Sequence, residues 1–218
     1  MGGSRSLQVV AVVAAVVVVA GVVFAYFQRP NNTDSGQSGT DSGMRCGTTV
    51  CQVIIGKSVG KDLVELLGGT GGGRIRVTGE TGPFIFEMTI AESGAAVNGD
   101  SLQCSDGTVS VCLVRGEHAG DWHGEVLIRR DGTWSRAQAG YLANAGFLGL
   151  HDVNEDGTGD VVASQLACDG QCKNAYVQVY SVLGPDIGCT TTAPSREQLV
   201  GWPVPVPKMS QLRPCADS

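Results

Sequence analysis

Charge is scarce in this chain. Only 17% of its 218 residues are Asp, Glu, Lys or Arg, against about a quarter in ordinary globular proteins. There is no basic excess either: 15 basic side chains stand against 21 acidic ones, a formal net charge of −6. A phosphate backbone needs a basic surface, so the balance argues against nucleic acid as a partner and is compatible with cation binding. Paired Cys-x-x-Cys motifs are missing, which makes a structural zinc site a poor reading of the cysteines. No Cys precedes residue 46, so nothing offers a lipid anchor just after the apolar N-terminal run. The 32 glycines follow no collagen-like period and read as turn chemistry in a strand-rich fold.

Residues 7–27, LQVVAVVAAVVVVAGVVFAYF, contain no charge at all. Twenty-one residues of helix rise about 31 Å, close to the roughly 30 Å hydrocarbon core of a bilayer. The Val content lowers helix propensity in water, but in lipid the backbone must satisfy itself and a helix does so. Tyr26 suits the interface. The expected organisation is a tail over 1–6, a retained transmembrane signal anchor over 7–27, a disordered linker over 28–45, and a domain over 46–218. A cleaved signal peptide is the alternative for the apolar run, with Val23-Phe24-Ala25 as a small-residue cleavage site. The linker, QRPNNTDSGQSGTDSGMR, has no apolar periodicity.

Eight cysteines follow the linker: Cys46, Cys51, Cys104, Cys112, Cys168, Cys172, Cys189 and Cys215. Local spacing suggests the pairs 46–51, 104–112, 168–172 and 189–215, the last tying a Pro-rich tail back to the domain. Disulfides require an oxidising compartment. Arg5 on one side of the apolar run and Arg29 and Arg45 on the other do not decide its orientation, so the cysteines do: the expectation is a single-pass cell-membrane protein with its C-terminal domain extracytoplasmic.

Beyond Gly47 the pattern is that of strands. Short runs rich in Val, Ile, Thr and aromatics occur at 52–55, 74–78, 84–91, 108–114, 124–130, 147–151, 160–166 and 175–183, separated by Gly, Asp, Asn and Ser. Arg130-Asp131-Gly132-Thr133 offers a hairpin turn. Lys57–Leu67, with Val59, Leu63, Leu66 and Leu67 on one helical face, is the single helix candidate in the domain. The fold expected is all-β: a β-sandwich or partial propeller-like sheets. The tail Gly201-Trp-Pro-Val-Pro-Val-Pro207 is expected to run extended over the domain, burying Trp202 and the valines and covering a sheet edge.

The segment with the clearest chemistry is His151-Asp-Val-Asn-Glu-Asp-Gly-Thr-Gly-Asp-Val-Val162. Asp152, Asn154, Asp156 and Asp160 place side-chain oxygens at loop positions 1, 3, 5 and 9. Gly157 at position 6 allows a sharp turn, and Thr158 at 7 offers a backbone carbonyl. That is the oxygen spacing of a Ca²⁺ loop, and hard oxygen donors on a flexible loop suit Ca²⁺ better than zinc or copper. An EF-hand needs Glu at position 12, where Ala163 stands, and the sequence after the loop reads as strand.

With its Asp-x-Asn-x-Asp-Gly-x-x-Asp pattern running into Val161 and Val162, the segment resembles the FG-GAP repeats of integrin-α-like and bacterial cell-surface β-propellers. The resemblance covers about residues 140–184, with 147–150 and 175–183 as flanking strands. It implies calcium at Asp152, Asn154, Asp156, Thr158 and Asp160, and a role in extracellular recognition. No second copy of the loop occurs, and a domain of about 170 residues is too short for six or seven four-stranded blades.

Other motifs fall short of their chemistry. Gly99-Asp100-Ser101-Leu102 spells an esterase nucleophile motif, but no His follows an Asp by three residues, and a Ser without an oriented base is a poor nucleophile. Gly56-Lys57-Ser58 lacks the glycine of a phosphate loop five residues earlier, where Cys51 stands. Gly68–Gly73 reads as a flexible turn. Glu117, His118, Asp121 and His123 read as a solvated hairpin tip around Trp122. The sequence thus points to a non-enzymatic, membrane-anchored extracytoplasmic domain with a calcium loop. It would meet an extracellular protein or glycan ligand and act in recognition or envelope structure. An anchored or secreted hydrolase and a regulatory partner of another membrane protein are the alternatives.

Overall fold

The computed structural model describes residues 44–168 and 172–215. The apolar run 7–27 and linker residues 28–43 lie outside the described residues. Among those described, no helix is long and apolar enough to cross a membrane.

The domain is all-β. A two-residue-strand hairpin, β1 (Arg45–Cys46) and β2 (Thr49–Val50), precedes three four-stranded antiparallel sheets. The first sheet holds β3 (Gln52–Val59), β4 (Asp62–Gly69), β5 (Gly72–Thr78) and β6 (Phe84–Glu87), followed by one helical turn, α1 (Thr89–Glu92). The second holds β7 (Leu102–Ser105), β8 (Ser110–His118), β9 (Asp121–Arg130) and β10 (Thr133–Ala143). The third holds β11 (Leu148–His151), β12 (Asp160–Ala167), β13 (Asn174–Tyr180) and β14 (Gly188–Cys189). In every sheet the strands lie side by side in chain order, so each is a local up-and-down meander.

The expected helix over 57–67 is instead the β3–β4 hairpin. Val59 pairs with Asp62 across Gly60-Lys61, and Gly60 has φ +57°, a conformation glycine adopts without a Cβ penalty. The burial follows period two: Val64 and Leu66 are fully buried while Leu63 is 39% exposed. Leu67 completed the apparent helical face for an unrelated reason: it lies under β1, whose Cys46 Sγ, bonded to Cys51, sits 3.6 Å from its carbonyl oxygen. The expected strand over 84–91 stops at Glu87, because Met88 and Ile90 turn into the core through α1. The 130–133 hairpin is present, with Asp131 at φ +50° and Gly132 at φ +77°, as a two-residue primed turn requires.

The sheets stack through their apolar faces. Strand β8 shows why: Cys112 and Val114 face the first sheet's Val64, Leu66, Ile75 and Val77, while Val111 and Leu113 face Leu148, Val161 and Ala163 of the third. A strand buried on both faces reads as a continuous apolar run, here VCLV. The third sheet's other face, with Val162, Val177 and Val179, is covered by Leu199, Trp202, Val206 and Leu212 of the C-terminal tail. Each such fully buried aliphatic side chain contributes about 1.5–3 kcal/mol. The tail is not extended: it runs through 3-10 turns at Arg196–Gln198 and Met209–Gln211, and Val204 is 51% exposed. It does cover an edge, where Arg213 pairs with Cys189 of β14.

All four expected disulfides are present: Cys46–Cys51, Cys104–Cys112, Cys168–Cys172 and Cys189–Cys215. The second joins directly paired residues of β7 and β8, and the last fastens the tail to β14.

Two acidic groups are buried between the first and second sheets. Asp62, at the start of β4, accepts the indole N–H of Trp134 at 2.7 Å. It also lies 2.8 Å from Arg129 Nε. That Nε makes no directed hydrogen bond, so the Arg129 contact is Coulombic. Glu125 on β9 accepts the Thr89 hydroxyl at 2.6 Å and pairs with Arg136 at 3.3 Å, which locks α1 over the second sheet.

Candidate metal site

The 152–159 loop joins β11 to β12, and Asp160 is the first residue of β12, paired with His151. The sequence shapes the loop through side-chain oxygens that accept its own N–H groups, as Asp and Asn do in turns. Asp152 takes the N–H of Asp156 at 3.1 Å and of Gly157 at 2.9 Å. Asn154 Oδ1 takes Asp156 N–H at 3.1 Å, and Asp156 Oδ1 takes Thr158 N–H at 2.7 Å. Asp160 reaches back to accept Val153 N–H at 3.0 Å. Two residues take left-handed backbone, Glu155 at φ +59° and Gly157 at φ +83°. Val153 anchors the loop by burying its side chain in the core behind the third sheet.

The carboxylates differ in environment. Asp152 and Asp156 are exposed, whereas Asp160 is 1% exposed. Asn154 and the Thr158 N–H hold the Asp156 carboxyl below its ordinary value. Burial, and secondarily the charges of Asp156 and Asp152, push Asp160 up to about 6. The three carboxylates thus belong to one loop, two of them exposed and one buried. The donor set is oxygen only, which fits a hard cation. No group of three or more His, Cys, Asp or Glu among the described residues stands ready-made to hold an ion. The carboxylates are turned onto backbone N–H groups, and coordination requires them to share those oxygens with the ion. Thr158 is buried, so only its carbonyl would be free to serve an ion.

The loop does not stand alone, which its own sequence did not reveal. The β7–β8 turn lies against it: Thr108 N–H donates to Gly157 O at 3.0 Å, and Val109 bridges Thr158 in parallel. Gly107 is a requirement of this contact, because a Cβ there would sit 1.9 Å from Gly157 O. In the same turn Asp106 accepts the Ser110 hydroxyl at 3.0 Å. A Cβ on Gly60, in the β3–β4 turn, would lie 3.5 Å from Asp106. The turns between the first and second strands of the three sheets therefore sit in a row. The signal was present as Ser105-Asp-Gly-Thr108, a short Asp-Gly turn at the equivalent place in the preceding sheet.

The remaining motifs have structural uses. Ser101 is buried, and its Oγ accepts Asn98 N–H at 2.8 Å in the turn that opens β7. Gly56, Lys57 and Ser58 lie within β3. Gly68, Gly69, Gly72 and Gly73 are paired strand residues around the turn Thr70-Gly71. A Cβ on Gly69 would meet Cys46 O at 2.5 Å, so the small residue admits the β1–β2 hairpin. Glu117, His118, Asp121 and His123 lie at the β8–β9 hairpin, the two imidazole centroids 6.1 Å apart and edge to face. No protein family, curated protein or solved structure matches this chain.

Proposed function

We propose that this protein is a membrane-anchored extracytoplasmic domain that binds Ca²⁺ at its 152–160 loop and serves in recognition or envelope structure. The observation that carries the reading is the loop itself. Asp152, Asn154, Asp156, Thr158 and Asp160 lie on one loop at the oxygen spacing of a calcium site, and Asp160 is raised to about 6, first by burial and then by the charges of Asp156 and Asp152. A divalent cation relieves that repulsion and replaces the proton. The site would hold calcium for structure: it fixes the β11–β12 connection and, through Thr108 and Gly157, the neighbouring sheet.

Two further observations support the reading. Four disulfides imply folding in an oxidising compartment, which agrees with an apolar anchor over 7–27 and a domain beyond it. The three meander sheets, packed through their apolar faces with their first-to-second-strand turns in a row, are compatible with propeller-like sheets; the FG-GAP resemblance is confined to the single repeat at about residues 140–184.

Calorimetric titration of the chelator-treated full chain with CaCl₂ tests the proposal. One site is expected, and Asp152→Ala with Asp156→Ala is expected to remove it. Calcium at a hundred times its Kd should add about 2.7 kcal/mol of stability. A wild-type chain that gives neither heat nor a rise in melting temperature refutes it.

A further inference from the structure

We infer that the Cys168–Cys172 disulfide is a thiol–disulfide exchange site whose substrate is a dithiol. The inference goes beyond the calcium reading and does not depend on it. Among the four disulfides this one stands apart in access. Each of the other three keeps one of its cysteines in the core: Cys46 is 1% exposed, Cys112 0% and Cys189 7%. Cys168 and Cys172 are both exposed. Exchange begins when a thiolate reaches a disulfide sulfur from outside, so access to the bond governs its rate.

It also stands apart in how little the fold needs it. It closes the shortest loop, a sequence separation of 4 against 5, 8 and 26 for the others, and a cross-link constrains the unfolded chain less the shorter its loop. The strands on either side are held without it. β12 and β13 pair in register over seven residues, and the last pair, Ala167 with Asn174, lies beside the disulfide. Both strands are also tied elsewhere: Leu166 N–H donates to Asn144 Oδ1 at 2.7 Å, and Ala175 exchanges hydrogen bonds with Ala193 at 2.9 and 2.7 Å. The other disulfides have structural work. Cys46–Cys51 closes the β1–β2 hairpin, Cys104–Cys112 packs into the core between the first two sheets, and Cys189–Cys215 fastens the tail. A cross-link that its hairpin does not need can open and close while the domain stays folded.

The step balances with the dithiol as reductant. One of its thiolates attacks Sγ of Cys168 or Cys172 and forms a mixed disulfide. The S–S bond breaks, and the other cysteine leaves as a thiolate and takes a proton. The second thiolate of the dithiol then attacks the dithiol's own sulfur in the mixed disulfide, which closes the dithiol into a disulfide and releases the remaining cysteine to be protonated. Two electrons and two protons pass to Cys168 and Cys172, and the dithiol is oxidised. The reverse sequence, with a disulfide as oxidant, restores the bond.

The test treats the oxidised full chain in detergent, without denaturant, with dithiothreitol for increasing times, then quenches with an alkylating agent and maps the modified peptides by mass. Cys168 and Cys172 are expected to be alkylated together, roughly tenfold or more faster than any other pair. At equilibrium in mixtures of reduced and oxidised glutathione, this pair should be reduced where the other three stay oxidised, since structural disulfides resist the glutathione pool. Cys168→Ser with Cys172→Ser should melt within about 4 °C of the wild type, which loss of a structural cross-link would not allow. Reduction of all four pairs at one rate, resistance of this pair to dithiothreitol or to every glutathione mixture in the folded chain, or failure of the serine variant to fold would each overturn the inference.

Discussion

Asp160 is one group through which pH acts on this domain. Its carboxyl is raised from the ordinary 3.8 to about 6, first by burial and then by Asp156 and Asp152. Between those values the folded chain keeps a proton that the unfolded chain has lost, so stability is present on the acid side and falls as pH rises through about 6. The calcium-free protein is therefore expected to melt at a lower temperature at about pH 7 than at about pH 5 as far as this group is concerned. Asp160→Asn, which keeps an acceptor for Val153 N–H, should flatten that difference, and calcium should reverse it at neutral pH. Thermal melts of both proteins across this range, with chelator and with calcium, check all three outcomes. Asp62 acts through the partners it holds. Asp62→Ala leaves the Trp134 N–H and the partly buried Arg129 without their partner, and should cost roughly 3 kcal/mol in denaturant unfolding. Asp62→Asn should cost less, since it retains an acceptor for the indole.

At the scale of elements, the 152–160 loop and the β7–β8 turn form one structure. Gly107→Ala places a Cβ 1.9 Å from Gly157 O, which must push the two turns apart. A loss of about 1–3 kcal/mol is expected, together with the roughly tenfold or greater loss of calcium affinity typical when the support of a metal site is disturbed. Calorimetry on this variant, which keeps every proposed ligand, checks it. This coupling is also where the sequence was least legible. Strands with clean alternation, such as β5 and β13, and the Asp131-Gly132 hairpin could be read directly, because period and turn chemistry are local. Strand β4 was mistaken for helix because Leu67 is buried by a hairpin folding back from residue 46. Most of β10 was missed because its residues 133–143 mix Ser, Arg, Gln and Gly, and its pairing slips between Arg136 and Gly140. The oxygen-bearing residues of the loop could be listed from spacing alone. The burial that separates Asp160 from Asp152 and Asp156 could not, since it depends on the sheet the loop leads into.

The whole molecule depends on where its sulfur is. Four local disulfides, three stacked sheets and a tail fastened at Cys189 describe a domain suited to an oxidising environment, proposed here to be tethered by residues 7–27. Cys168 and Cys172 are exposed, whereas Cys46, Cys112 and Cys189 are buried, so the first pair is the one a reagent reaches after gentle reduction. The direct test is labelling of Cys168 and Cys172 with a membrane-impermeant maleimide, after reduction, in intact and in lysed cells that make the full chain. The account predicts equal labelling in both. Labelling that appears only after lysis would contradict it.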